Sequence, residues 1–288
     1  MSLTGDRMSR DMERKGLAPR TRTQYIAAIR HMTEFLGRPP EQLEPNDIRS
    51  WEDEMHRRGN GADWLGVHVA ALKFLYCRTL GRPEMVTFLT YAKAPRRLPI
   101  VLSPVEVVQL LAALQKLRYF TFFSLIFDTG LRISEAAALK ASDVDKPCGV
   151  IHVRHGKGDK ERQVKLGDNL YQLLRSYWRE DRLKAPHSGP LSKDSMLFAC
   201  GTGAPISIGG ARKALKLAAQ AAGLAKRITP HGLRHSYATY QLDTGTDLRV
   251  VQAQLGHADI SSTQIYLHVS TRLIRQAPSP LDCLPPPP

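Results

Sequence analysis

The sequence predicts a mainly helical fold with one small β-sheet, split into two domains. Three observations predict it. Apolar side chains recur three and four residues apart in segment after segment, the spacing of one helix face. β-rich runs are confined to residues 149–166, around a Gly-Lys-Gly-Asp turn. Between two helical regions lies AKAPRRLPIVLS, residues 92–103, with two prolines, adjacent arginines and no periodicity. The domains are expected at residues 1–95 and 103–270, with a linker at 96–102 and a tail at 271–288.

In the first domain, residues 20–36 place Tyr25, Ile29, Met32 and Phe35 on one helical face, and Thr21 with Gln24 reads as a capping box. Gly37 supplies the stop. A second helix follows Asn46, with Ile48, Trp51 and Met55 facing inward before Gly59. A third spans about 63–79 and ends at Gly81-Arg82-Pro83, and a short fourth is expected near 84–92. The second domain opens on Ser103-Pro104-Val105-Glu106: a cap, a proline suited to the first turn, and a carboxylate three residues on. Helices follow near 104–116, 118–128 and 132–140, then the β segment, then helices near 169–184, 207–222, 230–243, 247–255 and 261–269. The ending APSPLDCLPPPP holds too many prolines to form a regular element.

With 288 residues and 42% apolar residues, the chain can bury a core in each domain, which argues against wholesale disorder. The net charge is +14 and is uneven. Residues 1–95 carry 15 Lys and Arg against 12 Asp and Glu, a net +3, which leaves +11 for residues 96–288. Such a basic field favours a polyanion, nucleic acid above all. Cys77, Cys148, Cys200 and Cys283 are too scattered for a zinc pattern and read as reduced thiols. The start, MSLTGDRMSR, has no apolar leader, and no apolar run reaches membrane-spanning length. A soluble cytoplasmic protein is expected.

Four segments carry residues suited to chemistry. In ITPHGLRHSYATYQ, Thr229 is a candidate cap and Pro230 suits the first helical position, so His231 and Arg234 share one face near the positive end of a helix. Free N–H groups, an imidazole and a guanidinium there make an anion site. His231 and His235, four apart, could also share a metal, but no HExxH and no partner cysteine accompany them, and no metal is expected. In FDTGLRISEAAALK, Arg132 follows Gly130 at a helix start and Glu135 lies one turn on. This pair reads equally as a surface ion pair or as a phosphate-binding arginine held by a carboxylate. In HGKGDKERQV, Lys157 sits between two glycines that would let the loop approach a backbone; alone, a solvated basic turn looks the same. No GxxxxGK[ST] occurs, so nucleotide hydrolysis is not indicated. In LGHADISSTQIYLH, His257 precedes Tyr266 by nine residues, with Ser261 and Ser262 as candidate caps of the last helix.

Together these segments resemble the tyrosine recombinase, or phage integrase, family, whose catalytic set runs Arg, Lys, His-x-x-Arg, His or Trp, then Tyr. The matching positions are Arg132 in TGLRISE, Lys157 in GKGDKER, His231 and Arg234 in HGLRHS, His257 in LGHAD, and Tyr266. Each motif is weak alone; the ordered set of six is specific. The resemblance covers about residues 20–270. LPIVLS and the ending SPLDCLPP resemble integron integrases, although residues 185–207 leave little room for the extra helical insertion of those enzymes.

The resemblance implies that Tyr266 attacks a DNA phosphate, forms a 3′-phosphotyrosyl link and releases a 5′-hydroxyl. A phenol of pKa about 10 needs a base and a positive field, and His231 is the expected base. Arg132 and Arg234 would hold the non-bridging oxygens, Lys157 would protonate the leaving oxygen, and His257 would support the phosphate. The position between glycines favours Lys157 over Lys160 as the acid. Lys160 and Arg162 are expected on backbone phosphates, Arg96 and Arg97 as linker contacts to DNA, and Glu135 and His235 as structural supports. The link conserves the phosphodiester energy, so no cofactor is expected. The resemblance further implies a C-shaped clamp of a helical SAM-like core-binding domain and a mixed catalytic domain around double-stranded DNA. It implies a tetramer at synapsis, with a tail that could dock in trans, and a nucleoid location, with accessory DNA-bending proteins left open. A DNA-binding accessory protein with a silent catalytic set, and a type IB topoisomerase-like enzyme, are the competing readings.

Overall fold

The computed structural model describes residues 3–91, 98–154, 161–182, 192–200, 203–257 and 259–267. The chain divides into two compact units, Met1–Arg97 and Leu98–Pro288.

The first unit is helical throughout its described residues. Its helices are α1 (Leu3–Arg14), α2 (Pro19–Leu36), α3 (Pro45–Arg57) and α4 (Ala62–Phe74). The first is not among the expected elements: Met8 and Met12, one turn apart, turn inward and bury completely, a two-residue signal too short to stand out in a polar sequence. α2 starts before the expected capping box. Pro19 fixes the first turn after Ala18, no side chain caps it, and Thr23 bonds back to the Pro19 carbonyl. Phe35 stays exposed, with the Arg58 guanidinium 5.1 Å from its ring. The second expected helix is capped by Glu44 and Asp47 rather than Asn46, and buries Ile48, Trp51 and Met55 as predicted. α4 runs on into a π-helical turn, Leu75–Thr79, and the helix expected near 84–92 is only a 3-10 turn, Pro83–Val86. The core is rich in methionine (Met8, Met12, Met32, Met55, Met85) around Trp51 and Tyr76.

The second unit is built on α6 (Leu117–Thr129), whose Phe122, Phe123, Leu125 and Ile126 are fully buried. α5 (Pro104–Ala112) begins with the predicted box: the Glu106 N–H donates to Ser103 Oγ at 3.2 Å, and the Ser103 N–H to Glu106 Oε2 at 2.7 Å. α7 (Ile133–Ala138) leads to a three-stranded antiparallel sheet, β1 (Val144–Asp145), β2 (Val150–Val153) and β3 (Arg162–Lys165), in that order. β1, only two residues long, lies outside the expected β segment. In β2 and β3, Ile151 faces Val164 across the ladder and both bury, while His152 and Gln163 face the other way. α8 (Asp168–Tyr177), α9 (Ile208–Ala221), α10 (Pro230–Asp243), α11 (Leu248–Leu255) and α12 (Ser261–Gln264) complete the unit. A second core of Tyr237, Ala238, Leu242, Val251, Leu255 and Tyr266 joins α10, α11 and the turn after α12. The integron-like tail, the turn holding Lys157 and residues 185–191 and 201–202 of the short span 185–207 lie outside the described residues, as do Arg96 and Arg97. Among the described residues no helix is long and apolar enough to cross a membrane.

Candidate active site

The site begins where α6 stops. Gly130 closes that helix at φ 65°, and a Cβ there would lie 2.4 Å from the Tyr237 ring and 2.9 Å from Leu255, so only glycine fits. Two residues on, Arg132 caps α7. Its backbone N–H donates to Glu135 Oε2 at 2.8 Å and its Nη1 to Oε1 at 2.7 Å. Glu135 is buried and is shared. Arg162, from β3, donates through Nη1 and Nη2 to its two oxygens at 3.0 and 2.7 Å, and through Nε to the Gln254 carbonyl at 2.8 Å. Burial alone would raise the Glu135 pKa, but the hydrogen bonds and charge of Arg162, with the backbone and side chain of Arg132, bring it below the ordinary glutamate value.

α10 brings in the next group. Thr229 Oγ1 accepts from the Gly232 N–H at 3.0 Å, and Pro230 follows it, as predicted. Arg234, 1% exposed, donates through Nη1 to the Gly130 carbonyl and through Nη2 to the Leu255 carbonyl, both at 2.7 Å. These two bonds tie the end of α6 to the end of α11 and fix the guanidinium plane. Its Nε is buried without a hydrogen-bond partner among the described residues, and its Nη1 lies 3.9 Å from Glu135. Desolvation, and then Arg132, bring its pKa down to about 10, which leaves it charged at neutral pH. Arg132, Ser134, Arg212, Thr229, His231 and Arg234 line one open cleft of about 410 Å³. The lining of this cleft holds three arginines and no carboxylate, Glu135 lying outside it against Arg132, and such a lining suits an oxyanion such as a phosphate diester.

The phenol is linked to this cleft through His235, whose ring centroid lies 4.3 Å from that of the lining residue His231. Tyr266 lies in the turn after α12, not within a helix, and is 1% exposed. Its hydroxyl is 2.9 Å from His235 Nδ1. Burial raises its pKa, while the charges of Arg234 and Arg132 pull it down, placing both guanidiniums within electrostatic reach of the oxygen. The His257 ring is nearly parallel to it at 6.4 Å between centroids, with Nδ1 bonded to Thr263 Oγ1 at 2.9 Å. His235 and His257 are both brought down to about 4, first by burial, then by His231 for the one and by Arg234 for the other. His231, exposed at the rim, is also lowered by local desolvation and then by Arg234 and Arg132. All three imidazoles are neutral at pH 7.

Arg132, His231, Arg234, His257 and Tyr266, drawn from three separate segments, thus come together within one unit. Lys157 and Lys160 lie outside the described residues. Three expectations change. Arg162 spends its donors on Glu135 and Gln254 instead of facing a phosphate, because the buried carboxylate needs a bidentate partner. His235, expected only to brace a helix, touches the phenol. Ser261 and Ser262 do not cap α12; the Ser261 N–H itself donates to Asp259 Oδ1 at 2.9 Å. Sequence reasoning missed Arg212, one cation among several on α9, and Thr263, whose hydroxyl carries no signal until it meets His257.

Residues 101–272 match the phage integrase family, and residues 5–85 match the N-terminal SAM-like domain of phage integrases. The chain belongs to the phage integrase family. Among its integrase relatives, an integrase/recombinase of Escherichia coli is 33% identical over 311 aligned positions, covering 93% of this chain and 89% of that protein. Tyrosine recombinase XerD of Listeria innocua is 33% identical over 271 positions, covering 89% of this chain and 90% of that one. The crystal structure of XerA recombinase aligns with a TM-score of 0.55 at 29% identity, over 94% of this chain and 95% of that one. This integrase is therefore a tyrosine recombinase, an enzyme of DNA strand breakage and rejoining.

Proposed function

We propose that the chain recombines double-stranded DNA at a specific site, integrating, excising or resolving a mobile element, with Tyr266 as the nucleophile. The observation that carries this reading is the meeting of Tyr266 with Arg132 and Arg234 in one unit. Both arginines are already rigidly held, by Glu135 and by the Gly130 and Leu255 carbonyls. They would clamp the non-bridging oxygens as the phosphorus becomes pentacoordinate; one such preorganised donor is worth on the order of 10²–10³ in rate. His231, at the rim, would bond the same phosphate, and His257 would brace the phenol's ring. Lys157 would give a proton to the departing 5′-oxygen. The 3′-phosphotyrosyl bond keeps the energy of the broken diester, and attack by a 5′-hydroxyl restores the phosphodiester.

Tyr266 and the arginines lie on the same unit, which favours cleavage by the subunit that binds the phosphate. Residues 1–95 would form the core-binding domain, closing with the catalytic domain around the duplex. Lys160, Arg96 and Arg97 would contact backbone phosphates. Strand exchange would take four subunits, one for each strand of two duplexes, in the cytoplasm at the nucleoid.

The test is to trap protein–DNA adducts in cells expressing the chain and to sequence the attached DNA, which also names the core site. Wild type is expected to yield adducts at one sequence. Tyr266→Phe should yield none while retaining DNA affinity. Adducts from Tyr266→Phe at the wild-type level would reject the nucleophile, and their absence from wild type would favour a silent DNA-binding protein.

A further inference from the structure

The expected base, His231, stands at the exposed rim, and the hydrogen bond that the Tyr266 hydroxyl makes among the described residues goes to a different histidine. We propose that His235 is a further catalytic residue: its Nδ1 orients the Tyr266 hydroxyl and takes the phenolic proton as the oxygen attacks phosphorus. The proposal rests on Tyr266 being the nucleophile and goes beyond it by naming the proton acceptor.

Four features converge. The oxygen–nitrogen distance is 2.9 Å, within direct transfer range. The phenol is 1% exposed, so bulk water has little access to the proton. His231, Arg234 and His257 face His235 with positive or neutral groups, and together with burial they keep its ring neutral and able to accept. Lastly, His231 is edge-on to His235, 4.3 Å between ring centroids, and it lines the cleft. An anion entering there would offset the Arg234 charge that now weakens His235 as a base, so its basicity would rise when substrate binds. The step balances. The phenolic proton moves to Nδ1, the oxygen pair forms the bond to phosphorus, the bond to O5′ breaks, and O5′ takes its proton from the general acid. In religation the imidazolium returns the proton to the departing phenolate.

The tautomer gives a test that needs no DNA. In the ¹⁵N-labelled full chain, His235 should show an unprotonated Nδ1 and a protonated Nε2, with Nδ1 shifting in Tyr266→Phe. A proton on Nδ1 would overturn the proposal. For function, adducts are trapped in cells from wild type, His235→Ala and His235→Asn, then re-measured in vitro on the recovered site carrying a bridging 5′-phosphorothiolate. That leaving group needs no acid, so it should rescue Lys157→Ala but neither His235 variant. His235→Ala is expected to lower cleavage by on the order of 10², with the deficit shrinking as pH rises and hydroxide substitutes. Asparagine can accept the hydrogen bond at the Nδ1 position but not the proton, so His235→Asn should remain strongly impaired. Cleavage by either folded variant within about threefold of wild type at every pH would sink the idea. Should the alanine variant fail to fold, the asparagine variant and the tautomer decide. Adducts persisting in Tyr266→Phe would instead remove the nucleophile assignment itself.

Discussion

Glu135 is one carboxylate serving two guanidiniums, and both depend on its charge. Replacing it by glutamine keeps the shape and removes the charge, leaving Arg162 buried without a counter-ion. Glu135→Gln should lose about 3 kcal/mol of stability by urea denaturation, and should lower cleavage through Arg132 as well. The sequence offered this pair only as an Arg with a nearby Glu; Arg162 joins from 27 residues away in the chain, which no local spacing announces. The histidines give a second prediction. His235 and His257 titrate near 4 in the fold and near 6.5 when unfolded. Between those values the unfolded chain binds more protons, so stability is complete above about pH 6.5 and declines as pH falls through 4. Melting temperature should therefore drop on acidification over that range. Exchanging both residues for asparagine should flatten the drop, and an unchanged slope would contradict the buried neutral state.

At the level of elements, the site is a junction of helix ends. Gly130 ends α6 and Gly256 ends α11, both in the left-handed region, and the carbonyls at or beside these ends receive Arg234. Some capping signals were legible locally: Ser103, Thr229 and Pro230 act as read, whereas Thr21 and Ser261 do not. Signals of one or two residues were not. The α1 methionines and the two-residue β1 acquire meaning only when a core or a neighbouring strand receives them. Gly130 supplies the sharpest test. An alanine there meets both an adverse φ and the Tyr237 ring. Gly130→Ala should cost about 3 kcal/mol, seen as a lowered urea midpoint. It should also reduce cleavage, because the carbonyl that seats Arg234 must move. A variant with normal stability and normal adduct yield would show that the junction does not need its glycine.

For the whole molecule, +9 of the +11 excess beyond residue 95 is carried by the unit from Leu98 onward that holds the cleft, the other two charges being Arg96 and Arg97. Binding to duplex DNA should weaken linearly in log–log form as salt rises, by on the order of 10³ between 50 and 200 mM for several phosphate contacts. Filter binding or fluorescence anisotropy measures it, and a flat profile would point away from a phosphate-dominated interface. The two units also carry separate cores, one around Trp51 and methionines, the other around α6, so a core mutation in one should leave the packing of the other intact.

By itself, the sequence determined the helical character, the helix starts at Ser103 and Thr229, and the order of the reactive residue types. Each of these is encoded in a few consecutive positions by periodicity, capping chemistry or residue identity. Only the tertiary structure decided which partner each reactive side chain meets. Arg162 turns inward to a carboxylate, Thr263 holds His257, and His235 rather than His231 reaches the phenol. Pairings between distant segments are fixed by how helix ends pack and by the cost of burying a charge or a polar atom without a partner, and neither is written in local spacing.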